Sequence, residues 1–324
     1  MIATRFTSKF GLSMPIALAP MDKFADGRLA SAVARAGGLG VVGAGYADAD
    51  WINSQFAAAG DARIGVGFIA WKLAQRPELL DLALAHGPAA LVLSFGDPAP
   101  FTDRIHAAKV PLFSQVNDLE EARRAIDVGA EVVVAQGGEA GGHGKGVRST
   151  FTLVPEIADL LAERAPDTLL LAAGGVADGR GLAAALSLGA DGAVVGSRLW
   201  AAQESPVSAA ARDRAVAAGS DDTVRSTVFD IVRGYEWPAG YGGRALRNDF
   251  VGRWVGNEDA LRANLTEAQH DYRSAAATAD FDIADIHIGE AVGIIHDHPT
   301  AAMVLERMTQ EAAGILGRWA ARSR

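Results

Sequence analysis

Between Gln136 and Gly146 the chain sets six glycines around only four side chains able to do chemistry: Gln136, Glu139, His143 and Lys145. An imidazole titrates close to neutral pH, so His143 is the natural general base of the group. Gly142 and Gly144 flank it without bulk, which predicts an accessible ring. Lys145 and Arg148 could hold an anionic substrate, and Glu139 could orient a neighbour or cap the loop. Directly upstream, Val132-Val133-Val134-Ala135 is a short β-branched run that reads as a fully buried strand. A flexible linker with an incidental histidine is the competing reading, but linkers rarely follow a buried strand directly.

Two further glycine turns resemble each other. Ala173-Gly174-Gly175-Val176-Ala177-Asp178 and Gly196-Ser197-Arg198 each end an apolar run and open a helix. Backbone N–H groups, a helix N-terminus and the Ser197 hydroxyl would suit a phosphate there; ordinary helix capping is the plainer alternative. Met21, Gln115 and Gln136 close other apolar runs, and Gly67 would give a thin backbone wall, so a flat heterocycle beside that phosphate would find both edge and face contacts. No metal site is expected. His296-Asp297-His298 lacks a third ligand at recognisable spacing and reads as a polar turn before Pro299.

To bring these groups together, the chain alternates short apolar runs with amphipathic ones. Strands are expected at Ile16–Pro20, Leu39–Val42, Ile64–Ile69, Ala90–Leu93, Pro111–Val116, Glu131–Ala135, Thr168–Ala172 and Ala193–Val195, seven of them followed by a predicted helix. Eight such units predict an α/β fold, a (β/α)8 TIM barrel with its chemistry at the C-terminal strand ends. A doubly wound sheet fits less well, because no glycine fingerprint follows the first strand. The periodicity breaks near Glu204-Ser205-Pro206. Residues 204–299, with the aromatic stretch Tyr235–Gly243, read as a smaller, mainly helical lid subdomain. Residues 1–203 and 300–324 would form the barrel, the last of them as an amphipathic helix carrying Met303, Val304, Met308, Ala312, Ile315, Leu316 and Trp319 on one stripe.

The bulk numbers agree with a soluble enzyme. Hydrophobic residues make up 49%, and the net charge of −9 argues against a nucleic-acid partner. The absence of cysteine excludes disulfides, thiolate metal sites and a cysteine nucleophile. With no signal peptide and no apolar run of spanning length, a cytoplasmic protein with no membrane association is expected. A homodimer is compatible with the composition, which does not itself choose an oligomeric state.

The stretch Ala135–Gly144, Ala173–Gly179, Gly189–Arg198, Ala19-Pro20-Met21 and Gly289-Glu290-Ala291-Val292-Gly293 together resemble the nitronate monooxygenases, formerly called 2-nitropropane dioxygenases. The resemblance spans essentially the whole chain. It implies an FMN cofactor, O2 as co-substrate, and oxidation of a nitronate or nitroalkane to a carbonyl compound and nitrite. His143 matches the family's catalytic histidine. Gly174, Gly175, Gly196 and Ser197 match its phosphate loops; Met21, Gln115, Gln136 and Gly137 fall where it holds the ring, and Gly67, Gly142 and Ala173 are expected beside them as further cofactor contacts. Two features depart from the pattern: many relatives carry Asn at the Gly67 position, and Asp22-Lys23-Phe24 replaces small residues. An FMN-dependent NAD(P)H:quinone or enoyl reductase of the same superfamily is therefore the alternative, and a flavin-free phosphate-binding barrel acting as lyase or isomerase the second.

Overall fold

A computed structural model describes residues 2–322, with side chains described through residue 318. The strands are β1 (Ile16–Leu18), β2 (Val41–Gly43), β3 (Gly65–Ile69), β4 (Leu91–Ser94), β5 (Leu112–Val116), β6 (Val132–Gln136), β7 (Gly142–Gly144), β8 (Leu169–Ala173), β9 (Gly192–Val195), β10 (Thr223–Ser226) and β11 (Gly242–Leu246). Eight of them form one parallel sheet in the order β1-β9-β8-β6-β5-β4-β3-β2. A parallel bridge between Ala17 and Leu39 joins its two ends, closing the predicted barrel.

Strand periodicity explains how the barrel fills. Successive side chains on a strand point to opposite faces. Val132 and Val134 therefore join Phe113, Leu169 and Leu171 in one buried cluster, while Val133 and Ala135 join Leu170 and the helices in another. The inner cluster also receives Phe6, from a helix at Arg5–Phe10 that the sequence reading did not anticipate. Its rings meet Phe113 at centroid distances of 6.3 Å from Phe6 and 5.3 Å from Phe10, at the N-terminal end of β5. Six residues give too little periodicity to announce a helix, but the capping box of Thr4 and Thr7 and left-handed Gly11 define it locally.

The C-terminal helix, Ala301–Arg322, packs on the barrel helices as expected. A Cβ at Gly179 would lie 2.4 Å from Glu311 Cβ, which shows how closely the two helices approach. Val304, Met308 and Ala312 are buried in this contact, Met303 is exposed, and the Trp319 side chain lies outside the described residues.

Between β9 and that helix the chain is mainly helical, with the segments Ala209–Val216, Val228–Arg233, Asp249–Trp254, Glu258–Ala263 and Leu265–Thr278. Phe229, Phe250, Trp254 and Tyr272 pack there in a core of their own. β10 and β11 pair antiparallel, and β11 pairs on its other edge with β7, placing Gly243 opposite His143. The glycine-rich stretch expected as an open loop is thus partly a sheet strand. Its partner lies about a hundred residues away, and three residues carry no period of their own. Among the described residues, no helix is long and apolar enough to cross a membrane.

Candidate active site

A cavity with an empty volume of about 1330 Å³, open to solvent, sits at the C-terminal ends of the barrel strands. The fold brings Met21, Gly67, Gln115, Gln136, Gly142, His143, Ala173, Gly174, Gly175, Gly196 and Ser197 to its wall. Gly137 does not reach the wall. A Cβ there would lie 2.1 Å from Thr150 Oγ1 and 2.4 Å from Glu139 Oε2, so this glycine makes room for packing behind the loop.

His143 is buried, against the accessible ring expected from its glycine neighbours. Its side chain is 11% exposed, because distant residues cover it. The Trp237 indole stacks on the imidazole at a centroid distance of 3.7 Å and 6°. Nε2 lies 2.8 Å from Oδ1 of Asp230, itself 4% exposed. With Nε2–H donating to that carboxylate, Nδ1 carries the lone pair. Burial lowers the imidazole pKa, opposed by the Asp230 hydrogen bond and charge; the net direction is downward. The ring is therefore neutral at physiological pH and able to accept a proton.

The loop beneath His143 is clamped from below and above. Gln136 Nε2 donates to the His143 carbonyl at 3.1 Å, and Gln136 Oε1 accepts from Gln115 Nε2 at 3.1 Å and Asn117 Nδ2 at 2.9 Å. The Arg225 guanidinium donates to the carbonyls of Gly138, Ala140, Gly142, Gly144 and Gly242 at 2.6–3.2 Å. Burial and nearby Arg244 push its pKa down to about 10, which leaves it charged at neutral pH. Arg244 adds two more hydrogen bonds to the Gly138 carbonyl. Backbone carbonyls that glycine leaves unshielded thus receive a fixed set of donors.

The glycine turns line the cavity, though not with the donors first expected. Gly174 and Gly175 adopt φ of +99° and +74°, where other residues are strained. The following helix, Gly179–Ser187, has its first N–H groups taken: Asp178 accepts from Arg180 and Gly181, and Glu311 from Gly179. Plain capping therefore holds for that helix, and it offers an anion nothing. The N–H groups of Gly175 and Val176 have no acceptor among the described residues. On the opposite turn, the Ser197 hydroxyl accepts from Gly289 N–H at 2.9 Å.

Several expectations about charged side chains are corrected. Lys145 pairs with Asp118 at 2.6 Å and Glu121 at 2.8 Å, and Arg148 pairs with Glu156, so neither is free for a substrate. Glu139 accepts from Thr150 N–H and Oγ1–H, bracing the start of the Thr150–Arg164 helix. Asp297 pairs with Arg198 and Arg307, and no metal-binding cluster occurs among the described residues. At Gly67 a Cβ would sit 2.4 Å from Pro20 Cβ, so Pro20 is what requires glycine here. An Asn in that place would need Pro20 to move.

Asp230, Trp237, Arg225, Tyr46 and His287 were not foreseen as site residues. The aromatic density of 235–243 pointed to the mouth of the barrel, but nothing in spacing links Asp230 to a histidine 87 positions earlier. Tyr46 Oη accepts from Trp237 Nε1 at 2.7 Å, which holds the indole over His143.

The sequence model of the nitronate monooxygenase family matches residues 3–63 and 69–311. The chain belongs to that family. A nitronate monooxygenase of Neurospora crassa is 32% identical over 91% of this chain and 88% of its own length. One from Metarhizium robertsii is 32% identical over 92% and 90%. Among solved structures, FabK from Thermotoga maritima superposes with a TM-score of 0.86 at 26% identity, covering 99% of this chain and all of that one. The chain is accordingly a flavin-dependent oxidoreductase.

Proposed function

We propose that this chain binds FMN in the cavity and oxidises alkyl nitronates with O2 to a carbonyl compound and nitrite, accepting neutral nitroalkanes as well. The observation that carries the reading is a neutral, largely buried imidazole at the cavity wall, held by Asp230 through one nitrogen, with no partner for the other among the described residues. The cavity also fits the cofactor. Gly174 and Gly175 leave room for close backbone approach, and among the described residues the Gly175 and Val176 N–H groups lack acceptors and the buried Ser94 Oγ, on a residue of the wall, lacks a partner.

Gly174, Gly175, Gly196 and Ser197 would hold the phosphate; Met21, Gln115 and Gln136 would bound the ring, with Gly67, Gly142 and Ala173 as backbone wall. Once bound there, FMN would supply the electron transfer from substrate to O2. His143 Nδ1 takes the α-proton of a neutral nitroalkane, and Asp230 stabilises the resulting imidazolium. Trp237 and Tyr46 hold that ring in place and exclude water from one face. A pre-formed nitronate needs no proton removed. In this reading residues 204–299 act as the lid over a barrel made by 1–203 and 300–324.

The test is an absorption spectrum of the purified protein before and after anaerobic addition of a nitronate. Flavin reduction is expected; a flavin that stays oxidised overturns the assignment. The overlay on FabK over 99% of the chain favours, as second reading, a reductase drawing electrons from NAD(P)H. Rapid bleaching by NADH or NADPH in the same cuvette would select it.

A further inference from the structure

An anionic substrate calls for a cation, and the two side chains expected to supply one, Lys145 and Arg148, are paired elsewhere. Arg233 is the only lysine or arginine among the described residues of the cavity wall. It ends the helix Val228–Arg233, three positions after Asp230, and side chains three apart on a helix share a face. The carboxylate that holds His143 and this guanidinium are therefore neighbours. Arg233 brings five N–H donors and uses two of them weakly, at 3.4 Å to Tyr235 Oη and 3.5 Å to Asp285 Oδ2, the outer limit of a hydrogen bond. Asp285 makes its shorter contacts with His287 Nδ1, at 2.6 Å, and with the Tyr272 hydroxyl. The Arg233 side chain is 20% exposed. Its Nε has no acceptor among the described residues and, unlike Ser94 Oγ, is not sealed off.

The surroundings hold this group in place and keep it charged. The guanidinium carbon sits 4.6 Å from the Tyr235 ring centroid, and Tyr235 stacks in turn on Tyr46 at 4.2 Å and 9°. Tyr46 also holds Trp237, which covers His143. One set of aromatic contacts thus connects the guanidinium to the imidazole. Burial works against the charge, but Asp285 and the neighbouring tyrosines outweigh it and the pKa is raised, so Arg233 is a cation across physiological pH. Its charge reaches His143, whose pKa it helps to lower. Asp230 and Asp285 are not wall residues, so on this side the cavity meets the guanidinium and not its carboxylate neighbours; the wall's own carboxylates, Asp22 and Glu139, come from other loops.

We infer that Arg233 receives the nitro group of the substrate. Its free N–H groups donate to a nitro oxygen, where negative charge collects as His143 takes the α-proton and the C–H electron pair moves into the C=N bond. The same contact holds an oxygen of a pre-formed nitronate. This rests on the proposed nitronate chemistry, but its first test does not need turnover. Nitrite, which presents the same O–N–O edge, is titrated into flavin-loaded protein at fixed pH and ionic strength, following flavin absorbance. Arg233→Met should bind it about 10- to 100-fold more weakly than the wild type, and Arg233→Lys should recover part of the loss. Asp285→Asn should bind nitrite at least as tightly as the wild type, because it removes a competing carboxylate. In turnover, Arg233→Met should mainly lower kcat on a neutral nitroalkane, whose charge develops in the transition state, and mainly raise KM for a nitronate, which arrives charged. Nitrite that fails to bind the wild type, wild-type affinity in Arg233→Met, or equal weakening in Arg233→Met and Asp285→Asn would overturn the inference. So would loss of flavin from both Arg233 variants, which would make the residue structural. Arg233-dependent nitrite binding without nitronate oxidation would instead remove the functional reading and leave an anion site standing.

Discussion

Replacing Asp230 by Asn isolates the electrostatic part of the proposed base. The pair is almost dry, with side chains 11% and 4% exposed, so solvent and salt screen it little. A hydrogen bond to a charged group contributes about 1.5–3 kcal/mol and a neutral one about 0.5–1.5, so removing the charge costs the imidazolium about 1–1.5 kcal/mol. At 1.36 kcal/mol per pH unit, His143 should titrate roughly one unit lower than in the wild type. Because the reaction of a neutral nitroalkane needs the unprotonated ring, kcat/KM falls as pH drops through the His143 pKa, and in the variant this acid limb should move to lower pH. The weaker base also slows the plateau. The amide can further donate to Nε2 and put the proton on Nδ1, so a fall of about 10- to 1000-fold is expected. Turnover of a pre-formed nitronate should change little. Steady-state pH profiles on both substrates, normalised to flavin content, decide the matter. An acid limb that stays or moves up, or equal losses on both substrates, would refute the argument.

His143→Ala should retain flavin and lose about 10²–10⁴-fold on neutral nitroalkanes while sparing nitronates, as compared by kcat/KM on the two. Arg225→Ala strips donors from five carbonyls of the β7 region and should destabilise the fold by about 3 kcal/mol or more, read by urea denaturation; Arg225→Lys should recover part of it. Gly175→Val forces a β-branched residue to φ +74°, costing about 1–2 kcal/mol, and should lower FMN occupancy measured by absorbance. Unchanged occupancy would show that the turn is not part of the phosphate cradle.

Much of the barrel could be read from local pattern, because a buried parallel strand needs only its own short apolar run to be recognised. Val132–Gln136 and Leu169–Ala173 are such strands, and the helices Gly27–Arg35 and Leu119–Asp127 carry their own periodicity and caps. Topology then sends every strand end to one mouth, which is why Gln115, Gln136, Gly174 and Ser197, far apart along the chain, share a cavity. The elements that failed to announce themselves were short or borrowed: the six-residue Arg5–Phe10 helix, and β7, whose ladder belongs to β11.

Residue types alone named His143 as the base and the glycine turns as a cradle, since imidazole chemistry and positive φ are intrinsic to those residues. They left open whether the imidazole is exposed or dry, and which carboxylate holds it. They offered Lys145 to an anionic substrate and Glu139 as a capping or orienting group, whereas the fold pairs Lys145 with Asp118 and Glu121 and sets Glu139 on Thr150. Charge state and orientation come from neighbours within a few ångströms, and here those neighbours arrive from segments 87 residues away. Only the folded chain brings Asp230 and Trp237 onto His143, and burial, outweighing that pairing, lowers the pKa of the ring.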